Sequence, residues 1–121
     1  MLAGLLALVA GAAVAQEAVR TVLTRTDIGG TDREAVLGRA DLPKGAVIAR
    51  HIHPGEEIGV LKAGELTLTL DGSAPRRLKA GDTYVIPRGV PHEARGESVE
   101  TATLIATWII DKGQPLATPA P

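Results

Sequence analysis

The stretch Gly45-Ala-Val-Ile-Ala-Arg50-His51-Ile-His53-Pro54-Gly55-Glu56-Glu57-Ile-Gly-Val-Leu-Lys-Ala-Gly64 decides how this chain is read. His51 and His53 stand two apart, so on an extended strand their imidazoles project from the same face. Pro54-Gly55 reads as a turn, after which a carboxylate, Glu56 or Glu57, comes back toward that face. Imidazoles and a carboxylate converging in this way are the donor set of a divalent metal site. Parity favours Glu57, because odd positions keep the face of His51 and His53 if the turn preserves register. Glu56 is the alternative, and otherwise a solvated turn carboxylate.

The spacing Gly-x5-His-x-His-x3-Glu-x6-Gly resembles the first motif of the cupins at every fixed position. Further on, Gly81-x5-Pro87-x-Gly89-x2-His92 resembles the second, and 16 residues separate Gly64 from Gly81. The resemblance implies a metal held by His51, His53, Glu57 and His92. All three histidines of the chain fall at motif positions. Four residues after the last histidine the family has Asn, where this chain has Gly96. Both residues adopt positive φ readily, so a turn is expected there. The fold implied is the cupin double-stranded β-helix, a jelly-roll barrel, over residues 34–111.

The rest of the chain agrees with an all-β fold. Leu66-Thr-Leu-Thr-Leu70 alternates with a period of two, the plainest strand signal present, and Asp71-Gly72 follows as a hairpin turn. Strands are expected over residues 19–26, 34–41, 46–53, 58–63, 65–71, 76–79, 82–86 and 100–111, with no helical periodicity after residue 15. In the last of these, Ala102, Leu104, Ala106, Trp108 and Ile110 share the face assigned to the core. Pro87 and Pro91 make a rigid loop into His92. Residues 16–33 form an N-terminal strand and turn outside the barrel. In cupins such a strand often pairs with a neighbour's sheet, so the resemblance implies a homodimer. Residues 112–121 hold three prolines and little that could pack, and are expected to be a loose tail.

Residues 1–15 are uncharged and apolar and end in Ala13-Val14-Ala15. They read as a secretory signal peptide with an A-x-A cleavage site, too short to remain as a membrane anchor. The mature chain is then periplasmic or secreted.

Composition narrows the chemistry. The 121 residues suit one domain, and 13 Lys and Arg against 14 Asp and Glu leave a net charge of −1. No basic stripe invites nucleic acid. With no cysteine, only nitrogen and oxygen ligands are available, which suits iron(II) or manganese(II), with zinc, nickel or copper also accommodated. With no Phe, one Tyr and one Trp, any pocket should be walled mainly by aliphatic side chains. No basic residue is clearly aimed inward, which disfavours a phosphate-holding sugar isomerase. The expected activity is a dioxygenase-type oxidation of a small apolar or phenolic substrate. The competing expectation is a non-enzymatic periplasmic module that binds a metal or small ligand.

Overall fold

A computed structural model describes residues 16–121; the signal-peptide reading of residues 1–15 lies outside them. Among the described residues ten strands follow in order: β1 (Val19–Asp27), β2 (Arg33–Leu42), β3 (Val47–Ile52), β4 (Gly55–Ala63), β5 (Glu65–Leu70), β6 (Arg76–Lys79), β7 (Thr83–Ile86), β8 (His92–Gly96), β9 (Ala102–Asp111) and β10 (Thr118–Pro119). They build two five-stranded sheets, ordered β1-β2-β9-β4-β7 and β10-β3-β8-β5-β6, with every neighbouring pair antiparallel. This is the jelly-roll arrangement expected of the sequence, in which two sheets bury their inner faces against each other.

Alternation places the core. In β5, Leu66 and Leu68 are buried while Thr67 and Thr69 are half-exposed on the other face. In β9 the face carrying Ala102, Leu104, Ala106, Trp108 and Ile110 is buried, as its period of two requires. Because the chain lacks Phe, its fully buried large side chains are aliphatic: Leu42, Leu61, Leu66, Leu78, Ile86, Ile110 and Val36. Each contributes on the order of 1.5–3 kcal/mol by leaving water. Turn chemistry agrees with the motif glycines: Gly45, Gly64, Gly81 and Gly89 have φ of 81°, 68°, 94° and 69°, where other residues are strained.

Three expectations need correcting. Gly96 does not occupy a positive-φ turn; it ends β8, and a Cβ there would lie 2.4 Å from the Pro43 carbonyl oxygen. Close approach of backbone, not conformation, is what this glycine serves. The segment after the proline loop is itself a strand, β8, central in its sheet between β3 and β5. Residues 112–121 are not loose, because β10 pairs with β3 through Thr118 opposite Ile52 and Pro119 opposite His51. The pairing is open to this Pro-rich segment because β10 lies at a sheet edge, where proline is tolerated. At an edge of the other sheet, β1 pairs with β2 of its own chain.

Candidate metal centre

β3 delivers His51, and His53 follows one residue beyond the strand's end. The register of β3 on β8 sets His51 directly opposite His92, so the two motifs meet as a cross-strand pair. Glu57 comes from β4 of the other sheet, between Ile86 of β7 and Trp108 of β9. The site thus bridges the two sheets. All four side chains are buried, with residue exposures of 7% for His51, 3% for His53, 6% for Glu57 and 3% for His92. Glu56, the alternative carboxylate, points away and pairs with Arg33 at the surface.

Each imidazole is fixed by its outer nitrogen. Nδ1 of His51, His53 and His92 lies 2.7, 2.6 and 2.9 Å from the carbonyl oxygens of Ala49, Leu116 and Val90. A carbonyl can only accept, so each Nδ1 carries the proton and each Nε2 presents a lone pair. One nitrogen of each of the three rings lies within 4.8 Å of the others, with His51 Nε2 and His53 Nε2 3.2 Å apart. Glu57 Oε2 stands 2.9 Å from His53 Nε2 and 3.5 Å from His92 Nε2. Lone pairs so arranged repel unless a proton or a cation sits among them. The donor set, three imidazole nitrogens and one carboxylate oxygen, therefore fits a divalent first-row ion, and the carbonyl partners are the outer contacts that orient histidine ligands.

The protonation states agree. Burial pushes His51 down to about 4, so its imidazole is neutral and available at neutral pH. Burial alone would raise Glu57, but a positive partner shared with His53 and His92, a proton on their Nε2 atoms or a cation between them, together with the Tyr84 hydroxyl, outweighs it and holds the carboxyl well below its usual range. Tyr84 donates to Glu57 Oε1 at 2.7 Å, and its own ionisation is pushed up by burial and by the Glu57 charge. One carboxylate oxygen is thereby tied to Tyr84 while the other faces the histidines.

The pocket around these groups is aliphatic in the main, through Ala40, Ile48, Leu66, Leu68, Leu78 and Leu104. The expectation that no basic side chain faces inward is overturned by Arg20 of β1. Its Nη2 donates to His51 Nε2 at 3.3 Å, and its guanidinium carbon lies 5.8 Å from the centroid of the Trp108 ring. Trp108 Nε1 donates to His53 Nε2 at 3.1 Å. The inner cavity is small, about 20 Å³, and Arg20, Ile48 and His51 also border an outer groove of about 240 Å³ reaching to Thr118 and Pro119. Sequence reasoning missed Arg20, Tyr84 and the Leu116 carbonyl as parts of the site. Alternation in residues 82–86 puts Tyr84 on the face of Ile86, a usable signal. Nothing local marks Arg20, whose placement depends on the pairing of β1 with β2.

Known proteins point the same way. The dimethylsulfoniopropionate lyase DddQ of Ruegeria pomeroyi is 43% identical over 54 residues, 45% of this chain and 27% of that protein. Its crystal structure superposes with a TM-score of 0.71 at 27% identity, covering 86% of this chain and 52% of the other. Oxalate oxidase 1 of Hordeum vulgare is 36% identical over 84 residues, 60% of this chain and 42% of that protein. A recombinant oxalate oxidase solved in complex with glycolate gives a TM-score of 0.63 at 29% identity, covering 70% of this chain and 45% of that one. The chain spans less than half the length of these curated relatives. Residues 38–110 match the cupin domain model, and the chain belongs to the cupin family.

Proposed function

We propose that this chain is a mononuclear metal cupin in which His51, His53, Glu57 and His92 hold one divalent ion, iron(II) or manganese(II) before zinc, nickel or copper. The activity we assign to it is a dioxygenase-type oxidation of a small substrate that offers an oxygen atom to the metal, with O₂ as oxidant. The observation that carries this reading is the locking of all three Nδ1–H groups on backbone carbonyls, which leaves three Nε2 lone pairs and the Glu57 carboxylate facing one point. A bound ion there would act as Lewis acid and redox partner.

The chain's own residues do the rest. Glu57 supplies negative charge against the ion, and Tyr84 holds its second oxygen so that the carboxylate cannot rotate away. The mainly aliphatic walls lower the local polarity, which strengthens the electrostatic contacts inside. The relatives' names, an oxidase solved with glycolate and a lyase, support a small oxygen-bearing substrate without choosing the reaction. The expected phenolic substrate stays within this class, while a wholly apolar one is disfavoured by Arg20. Export to the periplasm or medium rests on residues 1–15.

A non-enzymatic binding module is the second reading, favoured by the inner cavity of only about 20 Å³. Oxygen uptake separates the two. Protein loaded with iron(II) or manganese(II) should consume O₂ with phenolic, enolic or hydroxy-acid substrates, and Glu57→Gln, which keeps the side chain's size but removes its charge, should not. Ligands that perturb the metal's spectrum without any uptake above that variant would leave the binding module as the better account.

A further inference from the structure

Eight of the nine residues of β1 are exposed, and the one that is not is Arg20. In register it faces Ala40 of β2, and both residues line the pocket. An arginine is a costly residue to send inward, and this one lacks a counter-charge: among the described residues no carboxylate lies within ion-pair distance of it. Its Nε is buried with no hydrogen-bond partner. Among the described residues its Nη2 has only the lone pair of His51 Nε2, and the buried Trp108 Nε1–H has only that of His53 Nε2.

Those two lone pairs are the ones a metal would use. Once they are taken, Arg20 Nη2 and the indole N–H, both beside the site, lose the acceptors they have among the described residues, and the buried Arg20 Nε has none there to begin with. The charges add in the same direction: a divalent ion, Glu57 and Arg20 sum to +2. Such a site calls for an anion. Resting on the metal reading above, we infer that Arg20 and Trp108 form a carboxylate-binding pair that selects, for the metal centre, a small substrate with an anionic end.

Arg20 is also placed where an incoming ligand would pass. It borders both the inner cavity and the outer groove, whose other arginine, Arg50, is already engaged by Asp71 and the Pro121 carbonyl. A planar carboxylate matches the guanidinium fork, and the small inner cavity limits what accompanies it to a short carbon frame. The anionic end distinguishes this substrate class from a neutral phenol.

The test uses the full chain loaded with manganese(II), with its single tryptophan as the fluorescent reporter. Metal affinity is measured first, then binding of glycolate, which carries one hydroxyl for the metal and one carboxylate for Arg20, against its neutral amide, glycolamide. A hydrogen-bonded charge contact of this kind is worth at least about tenfold in affinity. Wild-type protein should bind glycolate at least about tenfold tighter than glycolamide. Arg20→Gln should lose about that factor for glycolate, change glycolamide less than about twofold, and bind manganese at least as well. Arg20→Lys should recover part of the loss, since it restores charge without the fork. Equal binding of glycolate and glycolamide by wild type overturns the inference without any variant. Undiminished glycolate binding by Arg20→Gln with metal intact overturns the anion role alone, whereas a wild-type chain that takes no manganese overturns the metal reading and this inference together.

Discussion

Ending the chain at Lys112 should weaken metal binding without unfolding the barrel. The truncation removes the Leu116 carbonyl, which accepts from His53 Nδ1 at 2.6 Å and fixes that imidazole's tautomer and direction. Loss of such an outer partner typically costs 10–100-fold in metal affinity, about 1.4–2.8 kcal/mol. It also removes the two-residue pairing of β10 on β3 and the half-buried Leu116 side chain, which packs on Val36, Ala106, Trp108 and Ile110. Together these are worth about 1–3 kcal/mol of folding stability, a fraction of the roughly 5–15 kcal/mol of a typical domain. Leu116→Ala is the control, because it sheds the packing but keeps the carbonyl. Competition with a chromophoric chelator gives the metal affinity and thermal melting gives the stability. The expected pattern is a 10–100-fold loss for the truncation and less than about threefold for Leu116→Ala, with both proteins folded. The reasoning fails if the truncated chain binds metal as the full chain does, or if Leu116→Ala loses as much.

Tyr84→Phe should leave Glu57 Oε1 buried without its 2.7 Å hydrogen bond, lowering stability by about 1.5–3 kcal/mol in denaturant melts; an unchanged midpoint would mean that water replaces the hydroxyl. In metal-free protein, burial lowers His51 from 6.5 to about 4, so between those values the unfolded chain binds more protons than the folded one. Stability should therefore fall as pH drops through that window and be insensitive to this group above it. Melting of wild type and His51→Gln at pH 7 and pH 5 checks the sign, and parallel losses in both would contradict it.

How much of this was legible in the sequence varies with the range of the interaction. The alternation of Leu66 to Leu70 and of Ala102 to Ile110 assigns faces, because side chains on a strand alternate whatever lies beyond it. His51, His53 and Glu57 were legible for the same reason, as one parity carried around a tight turn. The missed parts depend on register between distant segments. Arg20 enters the pocket only because β1 pairs with β2 so as to set it against Ala40, and Leu116 reaches His53 only because β10 docks on β3. Gly96 was misread for a related reason: what forbids a side chain there is the carbonyl of Pro43, far away in sequence.

The central claim is that one metal ion sits among His51, His53, Glu57 and His92. Metal analysis of the protein, purified without chelators or affinity-tag nickel, tests it most directly when wild type is compared with His51→Ala and His92→Ala. The account predicts one first-row divalent ion per wild-type chain and at least a tenfold weaker affinity in each folded variant. Variants that hold as much metal as wild type would contradict it.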